Sequence, residues 1–206
     1  MDIMSYIKNL NTKDEIFSDV YQYGIENNVP IIDSDALTVV KHLLKISGAR
    51  NYLEIGTAIG YSGLHLLSVF PDSKLITIEI DEEKHQTALS NFENHRVSER
   101  VTAIKGDAKT FEPDALYESL DFLFIDASKG NNQLFFDKYS KYIKKGGLII
   151  VDNILLRGQI VEEELSSRNR RKLREKVNDF NQKLAESNHE TSYLPVGDGL
   201  LVITKG

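Results

Sequence analysis

From Asn51 onward, short apolar runs alternate with segments whose apolar residues recur every three to four positions. This pattern predicts strands over 51–55, 74–80, 101–105, 120–126 and 147–152, and helices over about 61–69, 82–95 and 131–143. Parallel strands need long connections, and helices of this length supply them while covering both faces of a sheet. The expected fold is therefore α/β, with a doubly wound, mostly parallel sheet. Residues 1 to about 47 read as a helical prefix: Ile16, Val20, Tyr23 and Gly24 fall near one face, and Asp33-Ser34-Asp35 can cap a helix carrying Leu37, Val40, Leu43 and Leu44. At the other end, Glu190 to Leu194 and Leu200 to Thr204 flank the turn Pro195-Val196-Gly197-Asp198-Gly199, a hairpin expected to close one sheet edge.

Composition changes this picture little. At 206 residues the chain is long enough for one domain with a full core, and no repeat or linker interrupts it. The absence of cysteine excludes disulfides, thiolate metal sites and Cys nucleophiles. No apolar run reaches membrane-spanning length, and the N-terminus lacks a basic segment followed by an apolar one, so a cytoplasmic protein is expected. A formal net charge of −6 argues against indiscriminate nucleic-acid binding, although local patches decide such contacts.

The candidate chemistry sits where the apolar runs stop. Tyr52 to Ser62 reads as a buried strand, a turn with glycines at 56 and 60, and a helix start whose free N–H groups can meet the polar end of a nucleotide-like cofactor. Ala58 breaks the G-x-G-x-x-G pattern of dinucleotide-binding dehydrogenases. Glu79 ends the second strand, where a carboxylate can accept both ribose hydroxyls, and Asp107 follows the third, where it can receive an adenine amino group. Taken singly, either reads equally well as a helix-capping or solvated carboxylate. Asp126, Asp152 and Asn153 supply three hard oxygen ligands at two further strand ends, a set suited to Mg²⁺ or a similar ion. Lys129 adds an amine three residues after the first of them. Turn chemistry and surface exposure are the ordinary fates of these residue types, but ligands of open α/β sheets bind outside the carboxyl ends of the strands, where all four lie.

Glu54 to Ser62, Gly106-Asp107-Ala108, Asp126-Ala127-Ser128-Lys129 and Gly146 to Leu155 resemble the cation-dependent O-methyltransferases of the caffeoyl-CoA and catechol type, from about Pro30 to the C-terminus. The resemblance implies a Rossmann-like class I methyltransferase domain over 1–206, S-adenosylmethionine, a divalent cation such as Mg²⁺, and a homodimer. It places Glu54, Gly56, Tyr61, Ser62, Glu79, Asp107, Ala108 and Asp126 around the cofactor, with Ile31 and Ile32 near its methionine end. Asp126, Asp152 and Asn153 would hold the metal and Lys129 would be the base. A divalent ion chelating two neighbouring oxygens eases loss of a hydroxyl proton, and the oxyanion then attacks the sulfonium methyl in line.

Adjacent oxygens occur in catechols, in hydroxycinnamoyl-CoA esters and in 5-hydroxyuridine, so the metal motif does not choose the acceptor. Ser166 to Lys176 holds six basic residues within nine positions, and Arg157, Arg168, Arg170, Arg171, Lys172 and Arg174 are candidate phosphate contacts, with a solvated helix face as the alternative. The sequence resembles most the bacterial tRNA 5-hydroxyuridine methyltransferases, which implies a wobble uridine in the single-stranded anticodon loop as acceptor. A small catechol or caffeoyl-CoA-like acceptor is the alternative, and a non-catalytic binding module is disfavoured because it has no need of Lys129 beside three metal ligands.

Overall fold

A computed structural model describes residues 3–11, 16–112, 119–162, 164 and 167–206, with Met4 and Lys8 described by their backbone alone. Ser166, at the head of the basic stretch, lies outside the described residues. Three helices precede the sheet: α1 (Ile3–Asn11), α2 (Ser18–Glu26) and α3 (Ser34–Ser47). The alternation then runs β1 (Asn51–Ile55), α4 (Tyr61–Ser68), β2 (Lys74–Glu79), α5 (Glu82–Asn94), β3 (Val101–Lys105), β4 (Leu120–Ile125), α6 (Asn132–Tyr139) and β5 (Ile143–Asp152). Helix α7 (Arg168–Ala185) leads into the hairpin β6 (Glu190–Leu194) and β7 (Leu200–Thr204). The seven strands lie in the order β3-β2-β1-β4-β5-β7-β6, parallel except for β7, which is antiparallel to both of its neighbours.

The period-two pattern of the strands sorts the core into two halves. Tyr52, Phe122, Phe124 and Ile150 face one side, where they meet Val40 and Leu44 of α3, Leu64 of α4 and Phe92 of α5. Leu53, Ile55, Leu123, Ile125, Ile149 and Val151 face the other, against Phe135 and Tyr139 of α6 and Phe180 and Leu184 of α7. Both faces of the sheet are therefore covered, as parallel strands require.

Three features differ from the pattern-based reading. Helix α6 stops at Tyr139, a short 3-10 turn covers 140–142, and β5 starts at Ile143, four residues early, because Ile143 pairs with Leu120 across an irregularity in the β4–β5 ladder. In α2, Val20 and Gly24 are buried while Tyr23 is 44% exposed, as is Ile16 just before the helix at 43%, so the inward stripe is narrower than expected. Asp33 occupies the N-cap of α3 without a side-chain cap bond, whereas buried Asp35 accepts from Ala36 N at 3.0 Å and from Gly197 N at 3.2 Å. The capping triplet thus ties the helical prefix to the distant hairpin turn.

Candidate active site

The strands stop in register at one edge: Gly56 N donates to Ile78 O, Asp126 N to Ile55 O and Gly106 N to Glu79 O, at 2.9–3.0 Å. Above them opens a cavity of about 480 Å³, in the size range of small-molecule sites. Ile31, Ile32, Gly56, Tyr61, Ser62, Glu79, Asp107, Ala108, Asp126, Lys129 and Asn153 all line it. Glu54 and Asp152 are buried outside the lining, at 0% and 4% exposure.

Gly56 lets the chain turn here. Its φ is +102°, and a Cβ would lie 2.1 Å from the carbonyl oxygen of Asp126, so the β1 turn and the end of β4 touch through backbone alone. Glu79 is held rigidly at the opposite wall: Oε2 accepts from Ala58 N and Oε1 from Asp81 N, both at 2.8 Å. Each oxygen keeps capacity for one more donor from the cavity. Asp107 closes its own turn by accepting from Lys109 N at 2.9 Å.

Glu54 acts from below. Ser62 Oγ donates to its Oε1 at 2.6 Å and Thr77 Oγ1 to its Oε2 at 2.7 Å. Because Thr77 spends its proton on an ionised Glu54, Thr57 is then the donor in the 2.6 Å Thr57–Thr77 contact. Burial pushes the Glu54 carboxyl up to about 7, against the two hydroxyl bonds that lower it. It orients Ser62 at the N-terminal turn of α4 and leaves direct contact with the cavity to that serine.

The acidic strand ends carry the largest electrostatic strain. Burial raises the carboxyls of Asp126 and Asp152, their mutual repulsion raises Asp152 further, and Asp198 adds a third negative charge nearby. Asp152 Oδ1 accepts from Asn153 N at 2.7 Å, and Asn153 itself sits at φ 62°, a left-handed conformation in which Asn is tolerated. Lys129 Nζ donates to Asp198 Oδ2 at 2.8 Å. Among the described residues no three His, Cys, Asp or Glu side chains form a metal site by themselves; the candidate set is two carboxylates and the amide oxygen of Asn153. Close acidic oxygens that resist ionisation are a donor set that a bound cation would relieve.

Residues 12–206 match the O-methyltransferase family. The chain belongs to that family. Caffeoyl-CoA O-methyltransferase 2 of Petunia hybrida is 30% identical over 182 residues, covering 84% of this chain and 75% of its own. A crystal structure from Staphylococcus aureus, provisionally described as a caffeoyl-CoA O-methyltransferase, superposes with a TM-score of 0.92 at 32% identity, covering 98% of this chain and 99% of the other. An O-methyltransferase from Bacillus cereus, solved in complex with SAH, has a TM-score of 0.79 at 27% identity and covers 98% and 97%. The chain is thus an S-adenosylmethionine-dependent O-methyltransferase with a class I methyltransferase fold, and a divalent cation is the second cofactor of this caffeoyl-CoA type. The cavity suits both: its carboxylates attract a cationic sulfonium and a divalent ion, and Gly56 lines it with backbone and no side chain.

Of the remaining sequence candidates, Arg157 is exposed at φ 53°, and Arg168, Arg170, Arg171, Lys172 and Arg174 lie on the first two turns of α7. The Arg174 guanidinium donates to the backbone carbonyl of Glu162, so it braces the loop after β5. Sequence reasoning missed Asp198. Between two glycines in a hairpin it reads as turn chemistry, and its partner Lys129 is 69 residues away.

Proposed function

We propose that Asp126, Asp152 and Asn153 hold the divalent ion, that Glu79 and Asp107 receive the ribose and adenine of S-adenosylmethionine, and that Lys129 Nζ takes the proton from the acceptor hydroxyl. The ion, when bound, supplies Lewis-acid stabilisation to two neighbouring acceptor oxygens. The chain's own contribution is positional: Glu79 is fixed by two backbone N–H groups, Ser62 by Glu54, and Lys129 stands in the same cavity wall as Asp126 and Asn153. Replacing Glu79 with Ala is expected to raise the dissociation constant for S-adenosylmethionine about tenfold or more, since a charge-assisted hydrogen bond contributes roughly 1.5–3 kcal/mol. Calorimetry decides this, and an unchanged constant removes Glu79 from the cofactor site.

We infer further that the acceptor is 5-hydroxyuridine at the wobble position of tRNA, converted to 5-methoxyuridine in the cytoplasm. One observation carries this reading. Arg168, Arg170, Arg171, Lys172 and Arg174 occupy the N-terminal turns of α7, whose first turn has no acid. A cation in the first turn of a helix opposes its dipole at a cost of about 0.3–1 kcal/mol, so Arg168, Arg170 and Arg171 oppose folding and suit a polyanion. This end of α7 also abuts the catalytic turn, because Leu173 Cδ1 would lie 3.3 Å from a Cβ on Gly130. An anticodon loop is single-stranded, so its base can enter the cavity without opening a duplex.

The second reading, a small catechol or caffeoyl-CoA-like acceptor, is favoured by the names of the plant relatives, and CoA phosphates could use the same helix. Reversing charge at Arg168, Arg170 and Lys172 tests the choice, Arg174 being spared for its structural bond. With tRNA as acceptor, KM should rise about tenfold or more and the salt dependence should flatten, because fewer counterions are released. Turnover of free catechol should stay within twofold. A wild type fast on catechol and inactive on 5-hydroxyuridine tRNA would decide for the small acceptor.

A further inference from the structure

The turn of the terminal hairpin is pressed onto the loop that follows the metal-site strand. Ile154 N donates to Gly199 O at 3.2 Å and Leu155 N to Asp198 O at 3.0 Å. A Cβ on Gly199, at φ +85°, would lie 2.4 Å from Leu155 Cγ, so only glycine allows this approach. The effect is to fix Asp198, whose side chain is 8% exposed, at the junction of two segments. Its Oδ2 accepts from Lys129 Nζ at 2.8 Å. Its Oδ1 accepts from the backbone N–H of Arg157, a residue held at φ 53° in the 154–162 loop.

We propose that Asp198 is a positioning residue for methyl transfer, clamping Lys129 with one carboxylate oxygen and the loop after the metal-site strand with the other, so that the base and the end of that strand share one frame. The inference rests on the role proposed above for Lys129. A lysine side chain has four rotatable bonds and samples many positions when unpaired, whereas proton transfer needs its nitrogen within hydrogen-bond reach of the acceptor hydroxyl. The 154–162 loop follows Asn153 directly and is braced to α7 by Arg174 and by Asn181 Nδ2, which donates to Ile154 O at 3.2 Å. Asp198 therefore joins the base to the loop that directly follows a metal-ligand candidate and contacts the basic helix. A structural turn Asp would need only its backbone and one oxygen for this. The second oxygen, directed at the catalytic amine, is what sets Asp198 apart.

The test uses the full chain with Asp198→Asn, which keeps an acceptor for Arg157 N–H, and Asp198→Ser as a second variant should the first fail to fold. Asp198→Glu is the conservative rescue and Lys129→Met the control. The first readout needs no turnover: trace acetylation of the metal-free protein by acetic anhydride, with each lysine quantified by peptide mass spectrometry. Lys129 labelling should rise about threefold or more in Asp198→Asn, with Lys84 and Lys138 unchanged. The second is turnover with Mg²⁺, S-adenosylmethionine and either catechol or 5-hydroxyuridine tRNA. There kcat should fall about tenfold to a hundredfold, the cost of a displaced catalytic group, while KM for S-adenosylmethionine stays within threefold. Asp198→Glu should recover much of kcat. Wild-type labelling of Lys129 in Asp198→Asn or Asp198→Ser overturns the clamp. So does equal loss of kcat in the Asn and Glu variants. Full turnover by Lys129→Met would instead refute the base assignment, and the labelling result would still decide whether Asp198 holds that lysine.

Discussion

Asp152→Ala should lose methyl transfer by about a thousandfold or more in saturating Mg²⁺, and at the same time the metal-free variant should gain stability over the wild type as pH rises. The first effect follows from removing one of two charged oxygens in the candidate metal set, which leaves Asp126 and a neutral amide. The second follows from electrostatics. Asp152 is 4% exposed, and burial together with Asp126 and Asp198 raises its carboxyl above the ordinary carboxylate range. The folded metal-free protein therefore keeps a proton that the unfolded chain has released, from about pH 4 upward through neutrality. Bound protons are then more numerous in the folded state, so stability falls with rising pH across that window. Alanine removes this liability, and the gain should be on the order of 2 kcal/mol at pH 8 and small at pH 4. Thermal melts of both proteins in chelator at pH 4 to 8, repeated with Mg²⁺, measure it. Wild-type activity in the variant would eliminate Asp152 as a ligand, and a stability difference independent of pH would contradict the charge argument.

That an acidic edge exists at all was legible in the chain. Short apolar runs ended in Glu79, Asp126 and Asp152, and the parallel topology implied by the intervening helices brought those ends together. The relation between neighbours within that edge was harder to read. Glu54 shares a motif with Gly56, yet it sits inside β1 on the face of Tyr52, beneath Ser62 of α4, whereas Gly56 lies beyond the strand end and lines the cavity. Asp198 was invisible for a different reason. A turn between two short strands satisfies every local expectation, and only the pairing of β5 with β7 brings the hairpin to Lys129. The early start of β5 has the same origin, since Ile143 is drawn into the sheet by Leu120 across the chain rather than by its own neighbours. Local pattern reports which residues face a core; contacts between segments distant in sequence decide which of them meet.

Gly56→Ala should destabilise the fold by about 3 kcal/mol, although it adds a single methyl group. Two costs combine. At φ +102° an alanine leaves the conformations that residues with a side chain readily adopt, a strain of about 1–3 kcal/mol. The new Cβ would also lie 2.1 Å from Asp126 O and 2.8 Å from its carbonyl carbon, and overpacking typically costs a further 1–3 kcal/mol. Neither side can yield cheaply. Asp126 N is bonded to Ile55 O and Gly56 N to Ile78 O, both at 3.0 Å, so separating them pulls on three adjacent strands. For a chain of this length the expected fall in Tm is about 6–12 °C, measured in the absence of cofactor so that ligand binding does not mask it. Any relief must come from moving the Asp126 backbone, which carries a candidate ligand of both the metal and the cofactor cavity. Affinity for S-adenosylmethionine should therefore drop with stability, whereas Gly146→Ala, at φ +74° with open space around it, should lower stability alone. If Gly56→Ala melts within a degree or two of the wild type, the close approach of the β1 turn to the end of β4 is not a constraint on this site.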